Sequence, residues 1–218
     1  EWGRFVRMTE QAKLRLVTAL TILRMPLVLA FFAGAILHAE APNPVVFNVS
    51  FASLIASAVT DFFDGWLARR FRVETRFGAH ADPLMDKFFY VATFPLLVYV
   101  TAEKAVETGS AAARAHAVAI LIITLFFLAR DQWVTFLRSI GAMYGVSGRA
   151  HWSGKLRTAI TFPLICVIYH TVEAPKPLVH EGIMYGFEAV AVAVNVVSIV
   201  HYTRHYWPYL VKSAHPKP

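Results

Sequence analysis

LVTALTILRMPLVLAFFAGAILH, Leu16 to His38, runs for 23 residues with Arg24 as its only Lys, Arg, Asp or Glu. A helix rises about 1.5 Å per residue and the hydrocarbon core of a bilayer is about 30 Å thick, so this stretch has the length and composition of a membrane span. The pattern recurs: hydrophobic helices are expected over about 16–38, 45–70, 80–102, 111–140, 152–172 and 182–206, joined by short connections rich in Pro, Gly, Glu or Arg. The expected fold is all-α, a polytopic membrane protein with six transmembrane helices.

Composition agrees. Of 218 residues, 57% are hydrophobic and only 16% charged, too apolar for a soluble domain, where charged residues approach a quarter. Residues 1–15 mix Arg4, Arg7 and Lys13 with Trp2, Phe5 and Val6, as a short amphipathic helix on the membrane surface would. Residues 16–206 would form the six-helix domain and 207–218 a cytoplasmic tail. No removable signal peptide is expected from the opening residues, and Cys166, the single cysteine, has no intrachain partner for a disulfide.

The formal charge of +7 suits nucleic acid or an anionic surface, and its distribution favours the membrane over nucleic acid. Arg4, Arg7, Lys13 and Arg15 precede the first span, Arg69, Arg70, Arg72 and Arg76 follow the second, and Arg149 and Lys155 follow the fourth. The alternate connections hold Lys104, Arg114 and Lys176 among five glutamates. The positive-inside rule then places both termini on the cytoplasmic side, in what we expect to be a bacterial inner membrane.

Against this apolar background stands an acidic motif: Asp61, Asp64, Gly65, Ala68 and Arg69, then Gly78, Asp82 and Asp86. On helices, Asp61 and Asp64 fall three apart and Asp82 and Asp86 four apart, so each pair shares a face, and two antiparallel helices can converge four carboxylates. One Asp at a helix centre costs about 2.5–3.5 kcal/mol on an insertion scale, which bound cations would offset. Oxygen-only ligands favour hard ions such as Mg²⁺, and a pair of metals can clamp a phosphate undergoing in-line displacement. Gly65 and Ala68 leave room for a flat ligand and Arg69 can orient phosphate oxygens; the bland alternatives are helix packing and a cytoplasmic boundary charge. His80, two residues from Asp82 and on a different helix face, is read as structural.

The motif resembles the signature of the CDP-alcohol phosphatidyltransferases, D-x2-D-G-x2-A-R-x8-G-x3-D-x3-D, and matches it at every fixed position. The resemblance implies transfer of a phosphatidyl group from a CDP-linked lipid to an alcohol with release of CMP, dependence on Mg²⁺ or Mn²⁺ with two ions bound, and a homodimer. It implies metal binding by Asp61, Asp64 and Asp82, with Asp86 both at the metals and acting as the base. It puts Asp64, Gly65, Ala68, Arg69 and Gly78 on CDP-lipid-binding positions.

Flanking residues bear on the acceptor. Asp82-Pro83-Leu84-Met85-Asp86-Lys87 is similar to the form found in the family's phosphatidylglycerophosphate and cardiolipin synthases. Arg130-Asp131 through Leu137-Arg138, and Trp152-Ser153-Gly154-Lys155-Leu156-Arg157-Thr158, resemble stretches of the former. Glycerol 3-phosphate is a dianion and needs fixed cations, for which Arg130, Arg138 and Lys155 are the candidates. The alternatives are an ion pair of Arg130 with Asp131 or a lipid headgroup, and positive-inside placement for the other two. Thr21 and Arg24, further candidates for binding the acceptor phosphate, match the family's entry to the first helix, although Val17 and Thr18 replace its usual Pro-Asn; Arg24 either contacts phosphate or snorkels to the interface. Asp131 for the commoner Glu is shared with cardiolipin-synthase relatives, and Ala79 stands where the glycerophosphate group often has Lys.

The leading expectation is thus synthesis of phosphatidylglycerophosphate and CMP from CDP-diacylglycerol and glycerol 3-phosphate. Its rivals are the same chemistry with phosphatidylglycerol as acceptor, an archaeal ether-lipid homologue, and, from another class, a divalent-cation transporter. A transporter is expected to carry polar groups along a path to both faces, whereas these aspartates gather toward one.

Overall fold

The computed structural model describes residues 9–71, 76–146 and 152–214; within its helices the side chains at 62, 64, 65, 68, 69, 76–83, 86 and 155 lie outside the described set. Among the described residues six helices follow one another: α1 (Glu10–Glu40), α2 (Pro44–Phe71), α3 (Arg76–Thr108), α4 (Ala111–Met143), α5 (Trp152–Glu173) and α6 (Glu181–Ala214). No strand occurs among the described residues. Among those residues, five segments are long and apolar enough to cross a bilayer, in α1, α2, α3, α4 and α6. Large apolar side chains such as Ile22, Leu29, Leu37, Val118, Ile122 and Leu125 are exposed along them, a surface that calls for lipid or protein cover. The chain is an all-α integral membrane protein.

Helix bounds depart from expectation at both ends. The first helix begins at Glu10, not near residue 16, because the Thr9 side chain caps it by accepting from Ala12 N at 3.3 Å and nothing between Glu10 and Arg15 breaks it. The last helix runs through Pro208 to Ala214, beyond the expected end near 206. Tyr209 and Leu210 pack against a core of Val134, Leu137, Tyr202 and Tyr206, so residues 207–214 continue the helix.

The chain divides into two compact units, each taken by itself. The first holds α1, α2, α3 as far as Val100, and residues 173–175. Here α1 and α2 form an antiparallel hairpin. Thr21, Arg24, Val28, Phe31, Ala35 and His38 are buried along α1, and Phe47, Ser50, Leu54 and Ser57 along α2, both at the alternating three and four spacing of a helix-packing seam. A Cβ on Gly34 would lie 2.2 Å from Ser50 Oγ, so a glycine there lets the backbones approach. His38 closes the turn: Asn43 N donates to its Nδ1 at 3.0 Å, which leaves Nε2 to donate to the Glu173 carbonyl, also at 3.0 Å.

The second unit runs from Thr101 to Val172 and from Lys176 onward. Gly109, at φ 63°, ends α3 in the left-handed conformation that glycine adopts without cost, and Ser110 caps α4 by accepting from Ala113 N at 3.4 Å. Helices α4 and α6 run parallel, since their contacts advance together: His116 with Glu188, Arg130 with Ser198, Trp133 with Thr203 and Gly141 with Tyr206.

Candidate active site

The acidic motif lies in the first unit. Asp61 and Asp64 fall about one turn apart near the end of α2, and Asp82 and Asp86 about one turn apart near the start of α3. Only the Asp61 side chain is described; those of Asp64, Gly65, Ala68, Arg69, Gly78, Asp82 and Asp86 lie outside the described residues. No group of three or more metal-ligating side chains occurs among the described residues. The donor chemistry nevertheless fits a hard divalent cation, because Asp61, Asp64, Asp82 and Asp86 offer carboxylate oxygens.

The Asp61 side chain is 44% exposed and ion-paired with Arg24 NH2 from α1, whose own side chain is only 4% exposed. Thr21, one turn earlier, is buried with its hydroxyl donating to the Val17 carbonyl at 3.3 Å. Of the two readings for Arg24, contact with phosphate or reach to the interface, neither named this carboxylate partner. A guanidinium this deep needs a counter-charge, and the packing seam of α1 on α2 brings Asp61 to it.

A second polar group forms in the other unit, where three helices contribute. Buried Arg130 of α4 donates from NH1 to Asp131 Oδ1 at 2.9 Å and from NH2 to the Ser198 hydroxyl of α6. Its guanidinium lies 5.5 Å from the centroid of the Tyr202 ring, a cation–π distance. Buried Arg157 of α5 donates to the other Asp131 oxygen at 2.5 Å. Among the described residues, one carboxylate thus serves two guanidinium groups set among apolar helices. Two guanidinium groups side by side present the donor geometry that suits a phosphate oxyanion.

The ion pair of Arg130 with Asp131, one of the alternatives read from sequence, is present, and the guanidinium Nε is buried without a hydrogen-bond partner among the described residues. Arg138 is exposed and stands about 12 Å further along α4, as eight residues of helix require. Lys155 has its side chain outside the described residues. Arg157 was not among the expected site residues, although an arginine embedded in the apolar run of α5 is a signal that sequence carries. Asp131 as the bridge between two arginines had no local signal beyond its adjacency to Arg130.

Comparison with known proteins bears on the family. A profile described as CDP-alcohol phosphatidyltransferase matches residues 14–200. The chain is 30% identical over 193 residues to a "Probable phosphatidylglycerophosphate synthase" of Mycobacterium tuberculosis, covering 86% of this chain and 79% of that one. It is 31% identical over 148 residues to a CDP-diacylglycerol–glycerol-3-phosphate 3-phosphatidyltransferase of Yersinia pestis, covering 67% and 71%. With the cardiolipin synthase (CMP-forming) of rice it is 29% identical over 161 residues, 72% of this chain but 48% of the rice protein, so the match spans about half of that relative's length. The family is generally dependent on a divalent metal. With the acidic signature on two successive helices and the profile running from the first helix into the last, this chain belongs to the CDP-alcohol phosphatidyltransferase family.

Proposed function

We propose that the protein transfers a phosphatidyl group from CDP-diacylglycerol to glycerol 3-phosphate, giving phosphatidylglycerophosphate and CMP at the cytoplasmic face of a bacterial inner membrane. The observation that carries the choice of acceptor is the buried cluster in which Arg130 and Arg157 share the single carboxylate of Asp131. Paired guanidinium groups suit an acceptor that brings its own phosphate. The bacterial relatives named for glycerophosphate transfer support the same choice.

Asp61, Asp64, Asp82 and Asp86 would hold two divalent ions, Mg²⁺ or Mn²⁺, which when bound draw charge from the pyrophosphate and stabilise departing CMP. Arg69 would orient the phosphate oxygens, while Gly65, Ala68 and Gly78 leave room for the nucleotide. Asp86 takes the proton of the acceptor hydroxyl. The freed oxygen bonds to the phosphatidyl phosphorus as the bond from that phosphorus to the CMP oxygen breaks, so no covalent enzyme intermediate forms. Arg130 and Arg157, with Arg138 and Lys155, would bind the acceptor phosphate; Arg24 would position Asp61 through their ion pair. The working unit would be a homodimer in lipid.

The rival acceptor is phosphatidylglycerol, favoured by Asp131 itself, the residue shared with cardiolipin-synthase relatives. Purified protein given CDP-diacylglycerol, Mg²⁺ and one acceptor at a time separates the two. CMP and phosphatidylglycerophosphate should appear with glycerol 3-phosphate. Cardiolipin formed from phosphatidylglycerol alone would replace this reading, and no CMP with any acceptor would end it. Arg157→Gln should raise KM for glycerol 3-phosphate at least tenfold with little change in KM for CDP-diacylglycerol, the split expected when uniform acceptor binding is lost.

A further inference from the structure

The buried stripe of α6 passes through Ala191, Asn195, Ser198, Tyr202 and Tyr206, and the opposite side of the same helix is open. There, Val196, Val197 and Val200 are 45%, 50% and 42% exposed. Together with His201, Arg204 and His205 they line a groove of about 560 Å³. Helical spacing explains its shape. Val196, Val200 and Arg204 form one row of residues four apart, Val197, His201 and His205 the next, and the groove is the furrow between the rows. Each row starts apolar and ends in nitrogen donors about one or two turns later.

We propose that this furrow is a binding site for an anionic phospholipid, distinct in chemistry from the acidic motif. The valines would lie along an acyl chain. Arg204 supplies a fixed positive charge to the headgroup phosphate, with the polar imidazoles of His201 and His205 beside it. Position along the helix agrees. Trp152 and Trp207 are 58% and 55% exposed, and Trp152 lies edge-on to His201 with ring centroids 5.9 Å apart. Exposed Trp side chains mark the headgroup layer of a bilayer, so the cationic end of the furrow falls where phosphates are and its apolar end where chains are. Basic pockets on membrane helices take anionic headgroups for this reason. A soluble phosphate compound would leave the valines unused, and a zwitterionic lipid would bring an ammonium group toward Arg204.

Native mass spectrometry of the full-length protein, after exchange in detergent against equimolar phosphatidylglycerol and phosphatidylcholine of the same acyl chains, tests the assignment without metal or CDP-lipid present. A chain lacking the proposed transferase activity would still show the effect. The wild-type protein should retain phosphatidylglycerol in preference. Arg204→Gln should weaken that preference about fivefold, the scale of one basic side chain at an anionic surface, and Arg204→Gln with His205→Gln further. Val200→Asn should weaken retention of both lipids. Millimolar glycerol 3-phosphate should not displace the bound lipid. The site is refuted by equal retention of the two lipids in the wild type, by an unchanged preference in both cationic-end variants, or by displacement with glycerol 3-phosphate. It is refuted equally if those variants alter oligomeric state and leave lipid preference intact, the outcome for a surface that a second copy covers.

Discussion

At the residue scale, Asp86 and Arg24 carry the sharpest expectations. A general base contributes on the order of 100-fold to 10,000-fold, so Asp86→Asn should lower CMP release by at least about 100-fold, measured on purified protein at saturating metal. Full turnover in that variant would remove Asp86 from the base role. Arg24 is nearly inaccessible and Asp61 is half-exposed, so their pair is worth less than a fully buried one. Arg24→Met should lower metal-free stability by about 1–3 kcal/mol, seen as a lower Tm, through loss of the partner that offsets the Asp61 charge. Saturating Mn²⁺ should narrow the gap to the wild type, because a bound cation takes over that neutralisation and binding to the native state adds stability. An equal gap with and without Mn²⁺ would argue against Asp61 as a metal ligand. The identity of Asp61 as a candidate was readable from its neighbours Asp64 and Gly65. Its partner was not, since Arg24 is far away in the chain and only the packing of α1 on α2 joins them.

At the scale of elements, close approach sets the geometry that brings these side chains together. The Cβ of an alanine at 34 would meet Ser50 Oγ at 2.2 Å and Ser50 Cβ at 3.3 Å, so Gly34→Ala must turn the serine or part the helices. It should cost about 1–3 kcal/mol, as overpacking does, and Ser50→Gly in the same chain should restore most of it. Thermal unfolding of the two single variants and the double variant measures this; additive losses would show that the two helices do not meet at these positions. Helix existence was legible from apolar length and the start of α4 near 111 from the resumed apolar run, but not the end of α3, which runs to Thr108 beyond the expected 102 until Gly109 breaks it. The extensions to Glu10 and Ala214 were less so, because hydropathy marks where lipid begins, whereas a helix continues until a cap or a breaker ends it.

For the whole molecule, metal and fold should separate. The backbone of a membrane helix satisfies its own hydrogen bonds, so helical content does not depend on an ion. Chelation with EDTA should abolish CMP release while leaving far-UV circular dichroism unchanged, and Mg²⁺ or Mn²⁺ should restore activity. Loss of helical signal on chelation would make the ions structural instead. Sequence by itself determined that this chain is a helical membrane protein of the CDP-alcohol phosphatidyltransferase family, because lipid imposes long apolar runs and makes every embedded charge conspicuous. The tertiary structure alone decided which charges answer one another: Arg24 with Asp61, and Arg130 and Arg157 with Asp131. Local spacing constrains the face of one helix. Which face of another helix meets it depends on seams of small and large side chains, and it is there that a buried guanidinium finds its counter-charge.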